Sequence, residues 1–171
     1  MRTLLMIRGC PGTGKNTVAR HVCEATGWKF FWLHHLDCVY EVIGDYRLPL
    51  LQDELCNTVL KELCRRGDNI VFVRPSRSAK TVEHVKKIAE RFGYRFVLVT
   101  LKASYNTLLE RVKLRNPHPY RIYDRRGLDE YLDTRPEEEV PQEVVIHTDY
   151  MSPLEVAGQI TRLVQNAACK V

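Results

Sequence analysis

Long apolar runs are missing from this 171-residue chain. None approaches the roughly 20 residues that a membrane-crossing helix needs, so no spanning segment and no membrane partner is expected. The six cysteines (10, 23, 38, 56, 64 and 169) form no C-x-x-C pair and no zinc-ligand spacing, which argues against a zinc site. Buried thiols are the expectation for most of them. No secretory leader is expected either. The first apolar run is only Leu4–Ile7, and it leads straight into a glycine-rich stretch, so a cytoplasmic location is expected. No internal repeat or low-complexity tract is present. Acidic residues are scarce in one place. Residues 111–126 hold Arg111, Lys113, Arg115, Arg121, Arg125 and Arg126 against the single acid Asp124. The whole net charge of +5 therefore resides in that segment, which points to a local polyanion partner.

What is present is an ordinary globular composition on a chain long enough for one compact domain, here taken as residues 1–171. Strand-like and helix-like segments alternate. The strands expected are 3–8, 29–34, 69–73, 95–101 and 144–147. Between them, Leu55, Val59 and Leu63 recur at helical spacing, as do Val85, Ile88, Ala89 and Phe92. Ser104 is a good N-cap, and Ser152-Pro153-Leu154-Glu155 reads as a capping box with proline at its first helical position. Residues 116–142 are rich in proline and charge with weak periodicity. The expected fold is α/β, a three-layer α/β/α sandwich around a five-stranded parallel sheet.

The most informative stretch is Gly9-Cys10-Pro11-Gly12-Thr13-Gly14-Lys15-Asn16-Thr17, between the first strand and the first helix. G-x-x-x-x-G-K in that context is the phosphate-binding P-loop. Gly9, Gly12 and Gly14 let successive N–H groups converge on an anion, and the helix from Lys15 aims its positive end at the same point. Lys15 adds a mobile charge for the β- and γ-phosphates. Cys10 lies among the same N–H donors, a setting that favours thiolate. A Ser or Thr usually follows the lysine and holds Mg²⁺. Here it is Asn16, with Thr17 next, so a direct Mg²⁺ contact through this position is weakened. ATP and Mg²⁺ are the expected cofactors, with Gly9 through Thr17 binding ATP and with Asn16, Thr17 and Asp37 as metal candidates.

Ligands of open α/β sheets sit beyond the carboxyl ends of the strands. After the second strand come His34, His35 and Asp37. Asp37 is the candidate base for the acceptor hydroxyl, with Asp45 and Asp53 as substitutes; a helix cap is the competing role. After the third strand come Arg74 and Arg77, suited to gripping an acceptor's anionic group, with no acidic partner nearby in sequence. Arg111 and Arg115 lie at i and i+4 and suit phosphate oxygens in catalysis. With Arg121, Arg125 and Arg126 they read as a lid over about residues 111–135, closing to exclude water.

These features resemble the P-loop kinase superfamily of nucleoside monophosphate kinases, shikimate and gluconate kinases, and phage polynucleotide kinase. The likeness rests on Gly9–Lys15, the acid after the second strand, and Leu109-Glu110-Arg111-Val112-Lys113-Leu114-Arg115. The resemblance implies an ATP-dependent kinase moving the γ-phosphoryl group to a small-molecule acceptor, with nucleotides and nucleosides among the options. Tyr40 stands where polynucleotide kinases carry an Arg after the catalytic Asp, and Val73-Arg74-Pro75-Ser76-Arg77 lacks the Asp-Gly of adenylate kinases. The acceptor and the oligomeric state therefore stay open. Two alternatives are kept: a polynucleotide 5′-hydroxyl kinase using the lid's Arg residues with Tyr120 and Tyr123, and a non-catalytic ATP-binding module. A GTPase switch is disfavoured because Asn-Lys-x-Asp is absent, and a mechanical ATPase because the third strand ends in Arg74 rather than an acid.

Overall fold

The computed structural model describes residues 1–44, 49–75, 78–114, 122, 124–135 and 137–166. Asp45, Arg77, Arg115, Arg121, Tyr120, Tyr123 and Cys169 lie outside the described residues.

Five parallel strands form one sheet: β1 (Thr3–Gly9), β2 (Lys29–Trp32), β3 (Ile70–Val73), β4 (Arg95–Lys102) and β5 (Val144–His147). Their lateral order is β2-β3-β1-β4-β5. Among the described residues the α-helices are α1 (Lys15–Thr26), α2 (Asp37–Ile43), α3 (Pro49–Arg66), α4 (Ala79–Arg91), α5 (Tyr105–Lys113), α6 (Arg125–Thr134) and, after the last strand, α7 (Pro153–Asn166). β1 is buried along its whole length, because helices cover both faces. Its side chains alternate between two cores. Leu4 and Met6 join Leu60 of α3 and Val85 of α4 on one face. Leu5 and Ile7 join Val18 of α1 and Ile160 of α7 on the other. The three-layer α/β/α expectation is met.

Two elements differ from the expectation. The second strand ends at Trp32 instead of His34, since its partner β3 ends at Val73, opposite Trp32. The chain then turns through a 3₁₀ helix, Leu33–Leu36. Within 116–142 the structure contains α6, whose N-cap Asp124 accepts a hydrogen bond from the Gly127 N–H. Leu128, Tyr131 and Leu132 form its apolar stripe against Cys10 and Leu108. Asp124 followed by that i, i+3, i+4 spacing was the available signal, diluted by the surrounding charges. The buried-thiol expectation holds for Cys10, Cys56 and Cys64, whereas Cys23 is half-buried and Cys38 exposed; burial pushes the thiols of Cys23, Cys56 and Cys64 up to about 11.

Arg8, the residue before the P-loop, is 1% exposed. Its Nε donates to Thr100 Oγ1 at 2.8 Å, and its Nη2 donates to Glu138 O at 2.9 Å and to Glu143 at 2.6 Å. Burial raises the Glu143 pKa, but hydrogen bonds from Thr100 and Arg8 outweigh it and leave the carboxyl below its usual range. This buried pair ties the chain leading into β5 to the strand carrying the P-loop. Removing one partner strands the other charge. Arg8→Met is therefore expected to cost about 3–5 kcal/mol in urea unfolding, and adding Glu143→Leu to restore much of it. A single variant as stable as the parent contradicts this.

Candidate active site

The P-loop adopts the geometry its glycines permit. Gly9 has φ +144°, and a Cβ there would run into the carbonyl oxygen of Leu101 on β4. Gly14 is the left-handed N-cap of α1 and offers no side chain to the first-turn N–H groups. No acid occupies that first turn. A phosphate therefore meets backbone donors and the positive helix end without a competing carboxylate. Thr13 Oγ1 donates to Cys10 O at 2.9 Å, and Lys15 Nζ donates to the same carbonyl at 2.7 Å. The loop is thus closed on itself around Cys10. The Cys10 side chain is buried against Leu108, Leu128 and Tyr131.

Asn16 Oδ1 is buried and has no hydrogen-bond partner among the described residues. An acceptor in that state at the mouth of a phosphate loop fits a hydrated hard cation, since Mg²⁺ takes oxygen donors and keeps several waters. Thr17 is exposed beside it and lines a cavity of about 270 Å³ with Gly12, Gly14 and Arg111. The residues present therefore fit Mg²⁺ with ATP.

Arg111 closes that cavity from α5. Its Nη1 donates to Thr148 Oγ1 at 3.0 Å and lies 3.4 Å from Gly12 O, while Nη2 donates to Thr148 O at 2.7 Å. One guanidinium thus joins the P-loop to the end of β5, a role its sequence position did not reveal. Next to Thr148, Asp149 Oδ1 accepts from the Ser104 N–H at 2.8 Å. Hydrogen bonds from Ser104, first through its side chain, hold the Asp149 carboxyl down at about 2. A pKa depressed on folding adds stability that is present above the ordinary value near 3.9 and is lost as pH falls toward 2. Asp149→Asn is expected to melt below the parent at pH 7, with the gap closing between about pH 4 and 2. A gap independent of pH would assign the effect to packing.

On the other side of the P-loop, Arg74 directly follows β3. Its backbone N–H donates to Ile7 O at 3.3 Å. Its guanidinium, 14% exposed, pairs with Asp53 of α3, a partner that is not local in sequence. The partner lies 21 residues upstream and arrives only when α3 packs over the sheet. Asp53 is thereby engaged with Arg74. Asp37 opens α2 beyond β2, and both its carboxylate oxygens lie within reach of His34 Nδ1, at 2.9 and 3.2 Å. His35 does a different job. Its Nδ1 accepts from the Trp32 N–H at 3.4 Å, and its ring meets Phe30 edge-on at 5.3 Å. Burial, with the Arg20 charge second, lowers the His35 pKa. β2 is not beside β1, because β3 lies between them.

The structure therefore brings Thr17 and Arg111 to one cavity with Gly12, Thr13 and Gly14 of the P-loop, and sets Arg74 and Asp37 further along the same sheet edge. Arg125 and Arg126 stand apart on the exposed start of α6, where Arg125 pairs with Asp129 at 3.6 Å. Among the described residues no three His, Cys, Asp or Glu side chains form a metal cluster, and no helix is long and apolar enough to cross a membrane.

A P-loop at the end of a central strand, in a parallel sheet of order 2-3-1-4-5, gives the chain the P-loop kinase fold. The chain belongs to the AAA domain family, whose match spans residues 4–137. No curated protein matches it in sequence. Solved structures share its fold at low identity. A gluconokinase from Sinorhizobium meliloti 1021 is 19% identical with a TM-score of 0.66, covering 98% of each chain. A shikimate kinase from Acinetobacter baumannii, in complex with shikimate, is 20% identical with a TM-score of 0.61, covering 99% of this chain and 97% of that one. The APS kinase of Mycobacterium tuberculosis, in complex with AMPPNP and APS, is 15% identical with a TM-score of 0.69, covering 96% and 98%.

Proposed function

We propose that this chain is an ATP-dependent kinase that transfers the γ-phosphoryl group to a small-molecule acceptor. The observation that carries the reading is the order of functional groups along the carboxyl edge of the sheet. The P-loop leaves β1, Arg74 follows β3, and Asp37 follows β2. Two interstrand spacings, about 10 Å, separate the first from the last. That leaves room above β3 for an acceptor between the γ-phosphate and a carboxylate base. The fold neighbours named above are kinases of gluconate, shikimate and APS, which supports a small acceptor. The acids of α6 also favour it. Asp129, Glu130 and Asp133 share one face with Arg125 and Arg126, so this helix offers no uniform basic stripe to a nucleic-acid backbone.

In this reading the P-loop N–H groups and Lys15 bind the β- and γ-phosphates, and Arg111 stands over the same cavity. Arg74 and Arg77 bind the acceptor's anionic group, the former by exchanging Asp53 for it. Asp37 receives the acceptor's hydroxyl proton. Asn16 Oδ1 and the Thr17 hydroxyl hold Mg²⁺, directly or through water; the ion neutralises phosphate charge when bound. α6, packed on Cys10, belongs to the lid over 111–135, with Arg115 and Arg121 supplying further positive charge. Closure keeps water from the γ-phosphate.

An acceptor screen with γ-labelled ATP and Mg²⁺ tests the reading, with Lys15→Ala as control. The panel holds nucleosides, nucleoside monophosphates, hydroxy acids, sugars, and 5′-hydroxyl DNA and RNA oligomers. Label on one small-molecule class is the expected result. Label on the oligomers alone would replace it with the polynucleotide kinase, and binding without any transfer with the non-catalytic module.

A further inference from the structure

We infer that His34 is a positioning residue that holds the Asp37 carboxylate in its working orientation through an Nδ1–H hydrogen bond. The inference rests on the reading of Asp37 as the acceptor's base.

The contact is built by the local backbone. Leu33–Leu36 is a 3₁₀ turn, and the Asp37 N–H donates to His34 O at its end. In 3₁₀ geometry residues three apart eclipse, so His34 and Asp37 stand on one face. An ionised carboxylate only accepts, so the imidazole donates from Nδ1. Nδ1 lies 2.9 Å from Oδ2 and 3.2 Å from Oδ1. The ring is held on its other side by Trp32, at 4.6 Å between centroids. The His34 and Asp37 side chains are 21% and 28% exposed, sheltered but open at the sheet edge where an acceptor would lie. Trp32, His34 and Asp37 thus form a relay of support from β2 to α2.

A half-buried i, i+3 pair of this kind adds little to stability. Its value lies in geometry, because a base must be held within about 0.5 Å and 10–20° of its productive position. Without the Nδ1 bond the carboxylate keeps its charge but turns about its side-chain torsions. The step itself needs no proton on the imidazole to move. The acceptor oxygen bonds to the γ-phosphorus, the bond from that phosphorus to the β–γ bridging oxygen breaks, and ADP leaves. The acceptor's hydroxyl proton ends on Asp37.

Three variants test this. His34→Phe keeps a ring against Trp32 and removes the donor. His34→Asn keeps an amide N–H near the place of Nδ1. Asp37→Asn removes the base. Transfer of γ-phosphoryl from ATP is measured to the acceptor found in the screen and, in every case, to water. His34→Phe is expected to lower kcat about tenfold with the KM for ATP unchanged, the size of one lost bond to a charged group. His34→Asn should recover most of the loss, and His34→Phe should add nothing to Asp37→Asn. The imidazole N–H proton, far downfield in the parent's NMR spectrum, should move upfield in Asp37→Asn, where a neutral amide oxygen replaces the carboxylate. Parental kcat in His34→Phe, additive losses, no recovery with Asn, or a proton signal that Asp37→Asn leaves unmoved would each overturn the inference. A full loss in Asp37→Asn with a silent His34 removes this inference alone. A change below fivefold in Asp37→Asn removes the base reading and the inference with it. Melting curves on all variants separate misfolding from these effects, and the proton signal needs no turnover.

Discussion

Lys15→Ala is expected to slow phosphoryl transfer by about 10³-fold while the protein stays folded. The ammonium sits at the mouth of the phosphate loop, 2.7 Å from Cys10 O and 3.5 Å from Thr13 Oγ1. Those are neutral partners that a phosphate oxygen can replace at little cost. Charge building on the migrating phosphoryl group then meets a preorganised cation, and removing one such donor costs about 10²–10³ in comparable sites. Loss of the binding contact to the β- and γ-phosphates adds to this. Folding should survive, because Lys15 lies in the first turn of α1 and alanine is the best helix former. Single-turnover transfer at saturating ATP, with circular dichroism on the same samples, is the check. Normal turnover would remove the kinase reading altogether.

Asp37→Asn is expected to lower kcat by roughly 10²–10⁴, the range of a lost general base. The substitution keeps the shape, and its amide oxygen still accepts from His34, so binding and local structure should change little. What disappears is basicity. kcat and kcat/KM for the acceptor should therefore fall together, with ATP affinity preserved. An effect below fivefold returns Asp37 to a local role at the start of α2, where it already follows the 3₁₀ turn. Asp53 is a weaker candidate after the structure than before it, since it is paired with Arg74.

The parts of the site legible in sequence are those whose cause is local. Gly9, Gly12 and Gly14 announce a loop only glycine can make, and all three have positive φ. The same holds for the Ser104 cap and the Ser152–Glu155 capping box, both decided by hydrogen bonds within a few residues. His34 and Asp37 were both visible as types after a strand. Their contact was not, because it needed the strand to stop two residues early and a 3₁₀ turn to follow. α6 was missed because its stripe of Leu128, Tyr131 and Leu132 is short and embedded in charge.

From its sequence alone this chain determines an alternating α/β fold, a phosphate loop and a set of charged residues at strand ends. Periodicity, glycine and capping act over a single turn or strand, so they can be read without the rest of the molecule. Tertiary structure alone decided which of those residues meet. It placed β3 between β1 and β2, and so Arg74 between the P-loop and Asp37. It brought Asp53 to Arg74, Thr148 to Arg111, and Glu143 across 135 residues to Arg8. Those pairings follow from the packing of whole helices on the sheet. That packing depends on the sum of many buried contacts rather than on any local pattern.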